Sequence, residues 1–130
     1  MYLYWISFGF LLLSGLVHVM FFVIESYLFQ QPTGAKYFKV SKEDHQAAKV
    51  WALNQGFYNL FFALGMFYGL MLAFQNQMLI SVVLCSFCAL SMFVAGVVLW
   101  FSAPHLRRGF FIQSIPPLIG LVFLYLHLHV

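Results

Sequence analysis

VHVMFFVIESYLF, residues 17–29, decides the fold. It holds one charged residue, Glu25, in a run that extends apolar and uncharged back to Tyr2. A segment from Tyr2 to Phe29 exceeds the ~20 residues that a helix needs to cross the hydrocarbon layer. A carboxylate inside such a segment costs roughly 2.5–3.5 kcal/mol at mid-helix by insertion scales and less toward the interface. That cost marks Glu25 as a functional-site candidate facing a bundle interior, against the plainer reading of an interfacial or structural hydrogen-bonding acid.

The rest of the chain has the same character. Of its 130 residues 64% are hydrophobic and 7% charged, with a mean hydropathy of +0.94, which excludes a soluble domain. Apolar stretches at Tyr2 to Phe29, Val50 to Phe74, Met78 to Phe101 and Phe110 to Leu128 predict an all-α integral membrane protein, a four-transmembrane-helix bundle. With helices over about 2–29, 42–74, 78–101 and 110–128, a single domain over 1–130 is expected, with no extramembrane unit for separate chemistry. The first segment lacks the basic leader and small-residue cleavage site of a secretory signal and is read as a transmembrane helix.

All six basic residues fall in or beside two connections: Lys36, Lys39, Lys42 and Lys49 in the first, Arg107 and Arg108 in the last. The positive-inside rule places both connections in the cytoplasm and both termini outside, together with the turn Gln75-Asn76-Gln77. Tyr2, Tyr4, Trp5 and Tyr125 then form the outer aromatic belt, and Tyr27, Trp51 and Trp100 the inner one. The net charge of +3 follows from topology and anionic lipid, and nucleic acid is not an expected partner. In the first connection the breakers Gln31-Pro32-Thr33-Gly34 precede Ser41, whose spacing to Asp44 resembles a helix N-cap, so helix two is expected to start near Lys42.

Helix two opens with Asn54-Gln55-Gly56-Phe57-Tyr58-Asn59. At about 100° per residue, Asn54, Gln55, Tyr58 and Asn59 spread over roughly 140° of one face. That face continues through Gly65, Gly69 and Ala73, spacing that lets a neighbouring backbone approach closely. On helix one, His18 and Glu25 are seven apart and share a face, roughly 10 Å apart along the axis. On helix four, Gln113 precedes Pro116-Pro117; in a helix the prolines would leave the carbonyls of Ile112 and Gln113 without their usual donors. The other reading starts the regular helix only at Pro116. Topology thus predicts one polar layer at the cytoplasmic end, a pocket of Glu25, Asn54, Gln55, Tyr58, Asn59 and Gln113 walled by Phe22, Phe61 and Phe111, with His18 at its floor. An acid among amides can exchange protons or bind a cation; the plainer reading is that the amides only pair helices.

These elements also resemble a family of small bacterial membrane proteins, the domain of unknown function 1304. The resemblance is carried by His18 through Glu25 to Phe29, by Lys49 to Asn59 with its Asn-Gln-Gly-Phe-Tyr-Asn core, by Ala95-Gly96 and by Gln113 to Pro117, in order over nearly the whole chain. It implies a compact four-helix membrane protein and no particular activity.

Other chemistry is poorly supported by the sequence. Cys85 and Cys88 have the spacing of a redox pair, but there is no second cysteine pair to relay electrons, and small residues along helix three make packing the simpler account. Two cysteines at this spacing lack further zinc ligands, and His105, His127 and His129 read as solvated tips. No metal and no cofactor is expected. The leading expectation is a protein that binds or transports a small amphipathic or cationic ligand, coupled to protons through Glu25, in contact with membrane lipids and compatible with a homo-oligomer. The alternatives are an intramembrane isomerase or hydrolase on a lipophilic substrate, with His18 and Glu25 bridged by that substrate, and a non-catalytic accessory subunit.

Overall fold

The structure, a computed structural model, describes residues 2–130, apart from the side chain of Tyr37. Among the described residues it is all-helical, with four helices long and apolar enough to cross a membrane. Helix α1, Tyr2–Val23, runs on into one π-helical turn, Ile24–Leu28. A short α2, Gly34–Phe38, precedes α3, Lys42–Phe74, then α4, Met78–Ser102, a 3₁₀ turn at Pro104–Leu106, and α5, Arg107–His129.

The long helices form an antiparallel ring. α1 packs between α3 and α5, and α4 closes the ring on the other side between the same two helices. Tyr2, Val130 and the α3–α4 turn lie at one end. The first connection and the α4–α5 turn, with all six basic residues, lie at the other, called here the Glu25 end.

The distribution of side chains is that of a membrane protein. Small polar residues are buried, among them Ser7, Ser14 and Ser114, while large apolar ones such as Leu16, Leu64, Val83 and Phe87 cover the exterior. Lipid tails offer no hydrophobic drive between helices, so close packing and interhelical hydrogen bonds hold them together. Ser7 Oγ donates to the Gly120 carbonyl at 2.9 Å across α1 and α5, and Ser114 Oγ to the Phe93 carbonyl at 3.2 Å across α5 and α4. The centre is filled by Leu11, Met66, Met92 and Leu124 with both cysteines.

Local signals explain where the helices begin and end. Ser41 caps α3: its Oγ accepts the Asp44 N–H at 3.0 Å and donates to the Asp44 carboxylate at 2.7 Å, which offsets the orphan donors of the first turn. The α3–α4 turn is closed by Asn76 at φ 60°, a left-handed position that asparagine tolerates. Three features differ from the sequence expectation. Helix one is not a regular α-helix to Phe29, α2 lies within the first connection, and the last helix begins at Arg107 rather than Phe110. Of the two readings of Pro116-Pro117, the structure takes the continuous helix, with Pro117 buried in it.

Candidate functional site

The Glu25 end is where α1 stops being regular. The Phe29 N–H donates to the Ile24 carbonyl at 2.7 Å, a five-residue step that defines the π turn. A π turn in an α-helix re-aims side chains and recurs at functional sites. Here it carries Glu25, the one acid within the four apolar stretches.

Two neighbours fix this turn against α3. Asn59 Nδ2 donates to Glu25 Oε2 at 2.8 Å. Gly56, one turn before Asn59, gives α1 room to approach: a Cβ there would collide with Ser26 Oγ and lie 3.2 Å from Glu25 Cβ. Glu25 is half-buried, and its Oε1 makes no hydrogen bond among the described residues. Ser26 Oγ is buried and has no hydrogen-bond partner among the described residues. A buried hydroxyl left unpaired costs about 1–3 kcal/mol, so the close contact confines an uncompensated polar group. The layer therefore combines irregular backbone, a carboxylate with one oxygen free and an unpaired hydroxyl.

The remaining sequence candidates separate. Asn54, Gln55 and Tyr58 are exposed and make no hydrogen bond to Glu25 among the described residues, so Asn59 alone of the four reaches it. The reason is helical phase. The buried positions of α3 run Gly56, Asn59, Ala63, Met66 and Leu70, alternating steps of three and four, and Asn54 and Tyr58 lie off that seam. Gln113 is half-buried on α5, with no side-chain hydrogen bond among the described residues. Phe22 and Phe57 meet edge to face with centroids 5.2 Å apart beside the layer, and Phe61 continues the aromatic row at 6.2 Å from Phe57; Phe111 instead packs at 5.6 Å from Trp100.

His18 is 1% exposed and donates Nδ1–H to the Ser14 carbonyl at 2.9 Å. Because a carbonyl can only accept, that bond fixes the proton on Nδ1 in the neutral ring and leaves Nε2 as an acceptor. His18 is thus a buried α1 residue tied to its own helix, with no bond to Glu25.

Three further residues act on this layer that the sequence reading passed over. Gln30 Nε2 donates to the Glu25 carbonyl at 3.2 Å and to the Lys49 carbonyl at 3.1 Å, tying the end of α1 to α3. His45, only 2% exposed, donates Nε2–H to the Phe29 carbonyl at 2.6 Å, and its ring stands edge-on to Phe29 at 4.7 Å. Ser26 is the third. Neither Gln30 nor His45 lies in an apolar run, so hydropathy gives no sign of them; the π turn frees the Glu25 carbonyl that Gln30 serves, and the end of the helix leaves the Phe29 carbonyl that His45 serves.

Two cavities stand out, both at the end bearing the termini. One, of about 20 Å³, is enclosed by residues including Ser7, Leu11, Ser81 and Cys85. The other is an open groove bordered by Tyr4, Trp5, Phe74, Met78 and His127. Neither cavity is lined by Glu25 or Asn59. Cys85 and Cys88 are free, buried thiols packed against Gly69 and Gly65 of α3. Among the described residues no group of three or more His, Cys, Asp or Glu side chains is placed to hold a metal ion.

A family model described as a protein of unknown function, DUF1304, matches residues 12–125. The chain belongs to the DUF1304 family. That match spans the π turn, Gly56, Asn59 and Gln113, so the Glu25 layer lies inside the segment that defines this DUF1304 protein. No curated protein and no solved structure matches the chain.

Proposed function

We propose that this DUF1304 protein is a small multi-pass protein of the cell membrane that binds a cationic, amphipathic small molecule at Glu25 from the cytoplasmic side and exchanges it for a proton. The observation that carries this reading is the half-satisfied carboxylate: Asn59 holds Oε2 at 2.8 Å and leaves Oε1 free, on a π turn inside an apolar span. A carboxylate so placed attracts a cation or a proton, because water is scarce around it. Phe22, Phe57 and Phe61 stand alongside and suit cation–π contact with an organic ammonium. The cytoplasmic orientation rests on the six basic residues at the Glu25 end. Four helices leave little room for a pathway, so transport as a homo-oligomer within the lipid is part of the proposal.

A second reading, a non-catalytic accessory subunit, is favoured by the close seating of Gly56 on Ser26, which leaves the layer tightly packed. Binding of the lipophilic cation tetraphenylphosphonium to purified protein, in mildly acidic and mildly alkaline buffer, separates the two. The transport reading expects wild type to bind more tightly in the alkaline buffer and Glu25→Gln to lose both the binding and its pH dependence. Equal binding by the two proteins would leave the accessory reading standing.

A further inference from the structure

We infer that His45 and Gln30 are positioning residues that hold the π turn in register and so present the Glu25 carboxylate to Asn59. In a regular helix the Glu25 carbonyl would accept the Phe29 N–H. That N–H goes to Ile24 instead, and the Glu25 carbonyl is taken by Gln30 Nε2. The Phe29 carbonyl, at the end of the turn, is taken by His45 Nε2 at 2.6 Å. Both donors are side chains: Gln30 replaces the partner that the Glu25 carbonyl gives up to the π turn, and His45, from the start of α3, takes the Phe29 carbonyl left open by the end of the helix.

The two donors work from different directions. Gln30 also reaches the Lys49 carbonyl, which clamps the end of α1 to α3 on the cytoplasmic side of Gly56. His45 lies one turn into α3, in its charged opening between Asp44 and Lys49, and is buried against Phe29. Sliding the turn back to α-helical register would break both bonds and rotate Glu25 by about 100°, away from Asn59. The first connection therefore sets the direction of the acid. This inference concerns the same site as the proposed function, but it is tested by the position of Glu25 and not by any ligand.

The chain has three carboxyl side chains, Glu25, Glu43 and Asp44, so the infrared carboxyl band of Glu25 is isolated by subtracting the spectrum of Glu25→Gln. Asn59→Leu gives the reference position of that band without its hydrogen bond. His45→Phe keeps the ring against Phe29 and removes the donor, Gln30→Met removes the other donor, and His45→Gln restores a donor of similar reach. The expected result is that the band moves to the Asn59→Leu position in His45→Phe and Gln30→Met and returns to wild type in His45→Gln. A wild-type band in both donor-less variants would overturn the inference, as would a His45→Gln band displaced as far as that of His45→Phe. Should His45→Phe fail to fold, Gln30→Met decides. Loss of tetraphenylphosphonium binding plays no part in this result, so failure of the transport reading leaves it intact.

Discussion

Helix α3 makes two close contacts, with opposite chemistry. Toward the Glu25 end, Gly56 meets Ser26 and Glu25 of α1; farther along, Gly69 meets Cys85 of α4, where a Cβ would stand 2.7 Å from Sγ and 3.3 Å from the backbone nitrogen. Both contacts use a missing side chain to bring backbones together. The α3–α4 contact encloses soft, apolar thiols on two regular helices. The α1–α3 contact encloses a carboxylate, an amide and an unpaired hydroxyl beside a π turn. Packing alone explains the first and not the second, since a structural seam gains nothing from an unsatisfied Ser26 hydroxyl. That difference is the reason the proposed site is placed at the α1–α3 contact.

Substitutions can break this contrast, in decreasing order of effect. Gly69→Leu is expected to be the most damaging, because its obstacle includes α4 backbone; overpacking of this kind costs about 1–3 kcal/mol and occasionally more. Thermal unfolding in detergent measures it, and an unchanged midpoint would remove the close α3–α4 contact. Gly65→Leu meets the Cys88 side chain at 2.9 Å and should destabilise in the same direction but less. Ser26→Ala reverses the sign: removing a hydroxyl with no partner should raise stability by up to about 1–3 kcal/mol. A clear loss of stability in Ser26→Ala would mean that the hydroxyl is satisfied and that the layer is ordinary packing. Cys85→Ala and Cys88→Ala should cost the least, about 1 kcal/mol for each lost buried group, and leave tetraphenylphosphonium binding unchanged. Loss of that binding in either cysteine variant would place the working site on the wrong seam.

Much of the fold was legible in the sequence, because in a membrane chain hydropathy and length leave few alternatives. Four apolar stretches implied four spanning helices, and the motifs from His18 to Pro117 implied the family. The Ser41–Asp44 spacing marked the start of α3 because a short polar side chain can satisfy an orphan N–H there. The site was only partly legible. Glu25 stood out by charge, and Asn59 was named with it, but Asn54, Gln55 and Tyr58 were grouped with Asn59 because an arc of roughly 140° was read as one face, whereas only its Asn59 edge meets α1. Gly56 carried the missing phase information, since the small residue and not the amides marks the side that meets α1. The π turn left no trace in residue type: Ile24–Leu28 is an ordinary helical sequence, and its irregularity is set by tertiary partners, His45 and Gln30, from beyond the first span.

The most direct test of the central claim, that the Glu25–Asn59 pair is a binding site, is a native mass spectrum of the protein released gently from detergent, wild type beside Glu25→Gln. The account predicts a bound non-lipid small molecule on wild type, absent from Glu25→Gln at the same subunit number. Spectra in which both proteins carry the same masses, or in which both are empty within an intact assembly, would contradict it.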